Sequence, residues 1–264
     1  MSVPEPVIDG MVYIGDIQPV APGLVCFMFQ RKRRQDGSTE QYDALVACDA
    51  EGHRLATYRD RQFVRSLDDC DYFENDPGGM AAWTWCVDSE NRLIVSPFFD
   101  SYDLEVYAED GSLTHVIHRT YESRVRPESY RNQLQEYFDQ MYSGKTRRGR
   151  PITYTVSDID RDIQAVFPRP HGSLWVLSSR GAFDTPEGVL VTFDEFDAGG
   201  HLVKTVSLVG EGNYLDDDVL IRGDYLFVIK DFGAATYGSQ GSDIDLDGEE
   251  DQALSVICYR IGSS

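Results

Sequence analysis

Gly172-Ser173-Leu174-Trp175-Val176-Leu177 is a glycine turn that runs straight into an apolar strand, and the chain repeats this phrase along its length. Its other copies are Pro22-Gly23-Leu24-Val25-Cys26-Phe27, Asn91-Arg92-Leu93-Ile94-Val95 and Gly223-Asp224-Tyr225-Leu226-Phe227-Val228. A second phrase, an acidic hairpin turn leading into a strand, lies between them. It reads Asp49-Ala50-Glu51-Gly52-His53-Arg54-Leu55, Asp110-Gly111-Ser112-Leu113 and Asp197-Ala198-Gly199-Gly200-His201-Leu202. Turn residues punctuating short apolar runs predict strands joined by hairpins. Their recurrence predicts stacked or radially arranged supersecondary units in place of one irregular domain.

Working outward from these markers gives four similar units. The first has strands near 15–20, 24–30, 42–48 and 54–59, and the second near 83–87, 93–97, 104–108 and 113–119. The third uses 163–168, 174–178, 189–196 and 202–208, and the last 219–222, 226–230 and 255–261. From Leu24 to Leu93 is 69 residues, from Leu93 to Leu174 is 81, and from Leu174 to Leu226 is 52. The longest gap holds the one segment with helical periodicity: Pro127 at its start, then Tyr130, Leu134, Tyr137, Phe138 and Met141, with Gly144 as the stop. Excising that insert, near 127–143, leaves a period of about 50 residues, the blade length of a β-propeller. The expected fold is therefore all-β, a single β-propeller domain over 1–264 made of four-stranded antiparallel blades. The last unit lacks a strand, and Val7–Ile14 is expected to supply it and close the ring.

Composition bounds the partners. The chain has 264 residues and a net charge of −21, with 30 Asp, 15 Glu, 20 Arg and 4 Lys. Such a field repels phosphate, which argues against nucleic acid and anionic membranes. Five cysteines, widely spaced and without a C-x-x-C, signal neither a disulfide framework nor a zinc site. The N-terminus lacks the basic-then-apolar pattern of a secretory signal, and no apolar run approaches the roughly 18 residues that span a bilayer. As written, the chain carries no export address and reads as cytoplasmic.

Asp100-Ser101-Tyr102-Asp103-Leu104-Glu105-Val106-Tyr107-Ala108-Glu109-Asp110-Gly111 resembles the third-to-fourth-strand hairpin of the bacterial six-bladed β-propellers of the NHL-repeat and TolB-like group. The helical insert, Gly172–Val176 with Pro186-Glu187-Gly188, and the ending Ile257-Cys258-Tyr259-Arg260 are similar to one branch of that group. The resemblance runs over roughly residues 15–261 and rests on fold motifs. It implies a ring with a central channel and no particular reaction, and its members are often exported. The group usually has six blades and four are countable here, so the chain reads as the C-terminal part of a longer propeller or as a reduced one.

Several constellations are candidates for chemistry. Asp243-Ile244-Asp245-Leu246-Asp247-Gly248 looks like the start of a calcium loop, although its twelfth position is Leu254 in place of a bidentate Glu; a cation site and a plain acidic loop both stand open. Asp216, Asp217 and Asp218 fall at the entry to a first strand, where a metal, a cationic ligand or ordinary turn chemistry and solvation would explain them. Arg180 follows a buried-type strand and suits an anion or a neighbouring carboxylate. Trp83 and Trp85 share a strand face, for packing between blades or for stacking a ligand. The run Lys145, Arg147, Arg148 and Arg150 suits a helix C-terminus or an acidic partner. The histidines are scattered, and there is no H-E-x-x-H, G-x-S-x-G, P-loop or G-x-G-x-x-G.

Two functions are therefore carried forward. One is a non-enzymatic scaffold that binds a protein or small ligand at a channel mouth. The other is a metal-dependent hydrolase or lactonase, of the kind some six-bladed propellers resemble, with Asp88, Asn91 and Asp218 as its candidate ligands.

Overall fold

The computed structural model describes residues 10–66, 68–76, 83–232 and 255–261. The chain divides into two compact units, Met1–Asp160 and Arg161–Ser264. In the first unit, β1 (Met11–Val20), β2 (Gly23–Arg33), β3 (Thr39–Cys48) and β4 (Arg54–Arg65) form one antiparallel meander. A short β5 (Asp71–Phe73) follows. A second meander is built from β6 (Thr84–Val87), β7 (Leu93–Ser96), β8 (Asp103–Tyr107) and β9 (Leu113–His118). Next come α1 (Glu128–Tyr142), the hairpin β10 (Thr146–Arg147) and β11 (Arg150–Pro151), and β12 (Thr153–Thr155). The second unit has a four-stranded meander, β13 (Ile163–Pro168), β14 (Leu174–Ser178), β15 (Val189–Phe196) and β16 (Leu202–Val209), with α2 (Ser179–Phe183) between its middle strands. A three-stranded sheet of β17 (Asp218–Arg222), β18 (Tyr225–Ile229) and β19 (Val256–Arg260) follows. The three four-stranded sheets and the three-stranded one each pair their strands in chain order, which is the wiring of a propeller blade. The protein is all-β, with four blade-type sheets and one helical insertion.

The repeated turn has a common physical basis. In Arg34–Ser38, Asp49–His53, Asp88–Arg92, Ala108–Ser112 and Asp197–His201, the first N–H donates to the fifth carbonyl and the fourth N–H to the first. The fourth residue has positive φ in each: Gly37 (87°), Gly52 (89°), Asn91 (59°), Gly111 (86°) and Gly200 (79°). This is the three-residue hairpin loop whose left-handed position selects Gly or Asn. Aspartate caps it in two ways. At the first position, Asp49, Asp88 and Asp197 accept from the N–H groups two and four residues on, at 2.8–3.0 Å. At the third, Asp36 and Asp110 accept from the N–H and hydroxyl of Ser38 and Ser112. Gly111 is doubly constrained, because a Cβ there would stand 2.7 Å from the Thr57 carbonyl oxygen of β4.

Each unit forms its own hydrophobic core, and a further buried cluster of Cys26, Met28, Tyr42, Ala44, Val46 and Cys48 lies in the first sheet. In the first unit's core, Val25, Leu45, Ala47 and Tyr58 of the first sheet meet Trp85, Leu93, Val95 and Tyr107 of the second. Burying one Leu or Val side chain of this kind is worth about 1.5–3 kcal/mol. Gln18 adds a polar stitch between the same sheets, donating to the Trp85 carbonyl (3.3 Å) and accepting from the Val87 N–H (3.1 Å). In the second, Phe167, Trp175 and Phe193 pack with Val219, Leu226 and Val228.

Two expectations change. Met11–Ile14 does not serve as a fourth strand of the last sheet; it continues β1 and pairs with Met28–Arg31. The alternating residues at 11–14 are satisfied by an unusually long neighbour, β2. The insertion is also more than a helix. β12 pairs in parallel with β5, Thr153 opposite Asp71 and Thr155 opposite Phe73, and α1 lies on β12 through Phe138, stacked 4.0 Å from Tyr154. Gln135 clamps the helix by donating to the Tyr154 carbonyl and accepting from the Val156 N–H. Beneath, Arg126 is buried between Glu74 and Asp160, with Nε donating to Asp160 at 2.7 Å and Nη2 to Glu74 at 2.9 Å. Burial alone would lower that guanidinium's pKa, but the two carboxylates outweigh it.

Candidate functional site

The strands of the first sheet are 10, 11, 10 and 12 residues long, while those of the second are 4, 4, 5 and 6. At about 3.3 Å per residue, that difference leaves roughly 20 Å of the first sheet without a second-sheet counterpart. The shared core uses only the end near Val20–Phe27, Leu45–Ala47 and Ala56–Tyr58. The other end carries a different set of side chains.

On β4 the alternation is strict: Arg59, Arg61, Phe63 and Arg65 are half-buried, whereas Asp60, Gln62 and Val64 are exposed. The register places Asp43 of β3 opposite Arg61 and Gln41 opposite Phe63; on β2, Phe29 stands opposite Asp43 and Arg31 opposite Gln41. A polar row therefore crosses the sheet. Arg31 Nε donates to Gln41 Oε1 (3.2 Å), Gln41 Nε2 to Asp43 Oδ1 (2.7 Å) and Arg61 Nε to Asp43 Oδ2 (2.8 Å). Asp43 is 1% exposed, so the Arg61 pair is what makes its burial tolerable.

Aromatic rings interleave with the guanidiniums. Arg61 lies 5.0 Å from the Trp83 ring centre and 5.9 Å from Phe63; Arg59 is 5.6 Å from Trp83 and 5.5 Å from Phe98. Arg65 is 5.5 Å from Phe63 and 4.7 Å from Tyr72. Arg31 sits over the stacked Tyr13–Phe29 pair, whose centroids are 4.7 Å apart. Each such contact is worth about 0.5–1 kcal/mol when exposed and more when desolvated. Arg59 is also paired with Glu105, which accepts from Tyr107 at 2.6 Å. Burial, then that hydrogen bond, pushes the Tyr107 phenol up to about 12, so it remains a donor.

The chemical consequence lies in the donors left over. Arg31 and Arg61 are anchored through Nε, and among the described residues their Nη groups have no hydrogen-bond partner. Arg65 has only ring contacts there. Guanidinium groups set over aromatic rings, with open Nη forks, suit carboxylates or phosphates bidentately.

Of the residues singled out from the sequence, Trp83 belongs to this face, 5% exposed beneath Arg59 and Arg61. Trp85 is 8% exposed in the shared core. Arg180, on α2, has Asp184 as its neighbour at 3.6 Å. Asp217 is buried and organises its own loop, accepting from the Asn213 N–H, the Asp231 N–H and Lys230 Nζ. Burial raises its carboxyl pKa, but these donors outweigh that and hold it below the ordinary range. Asp216 accepts from Asn213 Nδ2, and Asp218 from the Val219 N–H. Asp88 is committed to its turn and to Arg92, while the Asn91 amide oxygen accepts from the Ala21 N–H. Asp243, Asp245 and Asp247 lie outside the described residues. In the basic run, Arg147 and Arg150 donate to the carbonyls of Asp69 and Asp68, fastening the hairpin to the loop before β5.

Sequence reasoning overlooked the arginine–aromatic face. Its signal is local and period-two: Arg59-Asp60-Arg61-Gln62-Phe63-Val64-Arg65. No helix among the described residues is long and apolar enough to cross a membrane. Comparison with family models, curated proteins and solved structures finds no match for the chain.

Proposed function

We propose that the protein is a non-enzymatic scaffold of β-propeller blades that binds a carboxylate-bearing protein or small ligand through the arginine–aromatic face of its first sheet. The observation that carries this reading is the set of open guanidinium donors on Arg31, Arg61 and Arg65 in a chain of net charge −21. Arginine is the scarce sign in this composition; among the described residues Arg31 and Arg65 stand here without a carboxylate partner, and Arg61 meets Asp43 through Nε alone. Kinship with the six-bladed NHL and TolB-like propellers belongs to the same reading and rests on the fold motifs alone. The hydrolase alternative has less support, because Asp88 is engaged in holding the β6–β7 turn and Arg92, and the Asn91 amide oxygen accepts from the Ala21 N–H.

The test is calorimetric titration of poly-L-glutamate at low salt. Saturable binding is expected, weakened about tenfold or more by removing Arg61 and Arg65 together, a combined loss of about 1.4 kcal/mol or more. Arg180→Ala, outside the face, is expected to leave it unchanged. Equal affinity in all three proteins would falsify the assignment.

A further inference from the structure

We infer that the face recognises an extended acidic peptide of a partner protein, which adds as a strand to the outer edge of β4; this rests on the binding reading above. β4 is the last strand of its sheet, and no described strand pairs with its other side. A 12-residue unpaired edge offers a row of N–H and C=O groups to any chain that can lie against it. Near Thr57 the turn at Gly111 covers that edge, and Tyr58 donates to the Glu109 carbonyl. Beyond it, from Arg59 to Arg65, the described residues supply no such cover.

The side-chain pattern selects the occupant. Directly opposed residues on neighbouring strands have Cβ atoms about 4.5–5.5 Å apart, and every second residue shares a face. A strand laid along β4 would thus meet Arg59, Arg61, Phe63 and Arg65 with alternate residues, and Asp60, Gln62 and Val64 with the others. Carboxylates at alternate positions meet the open Nη groups of Arg61 and Arg65, Arg59 being held by Glu105, and small apolar or polar residues face the second set. The overall charge does not forbid this. At physiological salt the screening length is about 8 Å, so a strand in contact senses the local guanidiniums more than remote aspartates. A nucleic acid, by contrast, would extend its phosphates across the acidic remainder of the chain.

The experiment uses the full chain and a fluorescein-labelled peptide alternating Asp and Val, read by anisotropy. Three comparisons accompany it: the same peptide N-methylated at alternate residues, a Lys–Val peptide, and a thymidine oligonucleotide. Expected are saturable binding of the Asp–Val peptide, loss of about tenfold or more on N-methylation or in Arg65→Ala, and no binding of the other two. Arg65→Ala leaves no buried carboxylate unpaired, and the methylated peptide tests the edge without altering the protein. If methylation changes nothing, strand addition is overturned while the carboxylate-binding face stands. If neither Asp–Val peptide nor poly-L-glutamate binds, the underlying reading falls too. Binding of the oligonucleotide in preference to the peptide would overturn the choice of partner.

Discussion

The two ends of the first sheet share four strands and follow different rules. At one end, Val25, Leu45 and Ala47 are sealed against Trp85, Leu93 and Val95, and the face is apolar. At the other, Arg31, Gln41, Asp43 and Arg61 form a hydrogen-bonded row among aromatic rings, and Tyr13 and Phe98 are 38% and 47% exposed. The sealed end is what a blade requires, and it recurs in the second unit. The extended end exceeds that requirement. It costs strand length and buries a carboxylate, and among the described residues only the contacts of Arg59 and Arg61 with Trp83, Phe98 and Glu105 tie it to the second sheet. Where a repeat protein lengthens one unit and changes its chemistry, the extra part is the place to seek binding.

The comparison breaks first under core truncation. Leu45→Ala, fully buried at the sealed end, is expected to cost about 2–5 kcal/mol, whereas half-buried Phe63→Ala should cost about 1 kcal/mol. Urea unfolding would measure both. Comparable losses would mean that the extension is a second core and no specialised face.

Asp43 tests the polar row. Asp43→Ala strands Gln41 and Arg61 without their acceptor and should destabilise the protein by about 1–3 kcal/mol. Replacing the pair together, with Asp43→Leu and Arg61→Met, should recover most of that loss, because an apolar pair has no desolvation to offset. A double variant no better than Asp43→Ala would show that the row acts as a network and not as an ion pair.

Arg65 sharpens the contrast from the other side. Arg65→Ala removes ring contacts alone, so stability should fall by no more than about 1 kcal/mol. Poly-L-glutamate affinity should nevertheless drop measurably. A thermal shift as large as that of Asp43→Ala would assign Arg65 a structural role.

Most of the blade plan was legible in the sequence, because each hairpin states itself in five consecutive residues. Asp49, Asp88 and Asp197 each announce a turn that their own carboxylates close. Strand ends were less legible: β4 runs to Arg65, past the point where apolar alternation fades, since Arg61 and Arg65 alternate as charged residues stacked on rings. The parallel pairing of Asp71–Phe73 with Thr153–Thr155 has no local signature; it joins segments 82 residues apart through a helix whose face is read only once Tyr154 is in place. The site was missed for the same reason. Trp83 could be singled out as an aromatic on a strand, but Arg59 and Arg61 come from another sheet.

The smallest effect is expected at the tip of the extension. Asp36 closes the β2–β3 turn, and hydrogen bonds from the Ser38 hydroxyl and N–H hold its carboxyl below the ordinary aspartate value of about 3.9. A folded-state value below the unfolded one adds stability at pH values above the ordinary value, and that contribution is lost as the pH falls through the lowered one. Asp36→Asn keeps an acceptor but not the charge. The stability difference between wild type and variant should therefore be flat from neutral pH to mildly acidic pH and disappear in stronger acid. The sealed-end turn, where desolvation raises the Asp49 carboxyl but hydrogen bonds from His53 outweigh it and hold it low, should behave in the same sense. Carbon-detected NMR titration of the two side chains gives the direct reading. An ordinary midpoint for Asp36 beside a lowered one for Asp49 would mean that the extension's tip is open in solution, with the backbone ladder and the arginine–aromatic row holding the strands behind it.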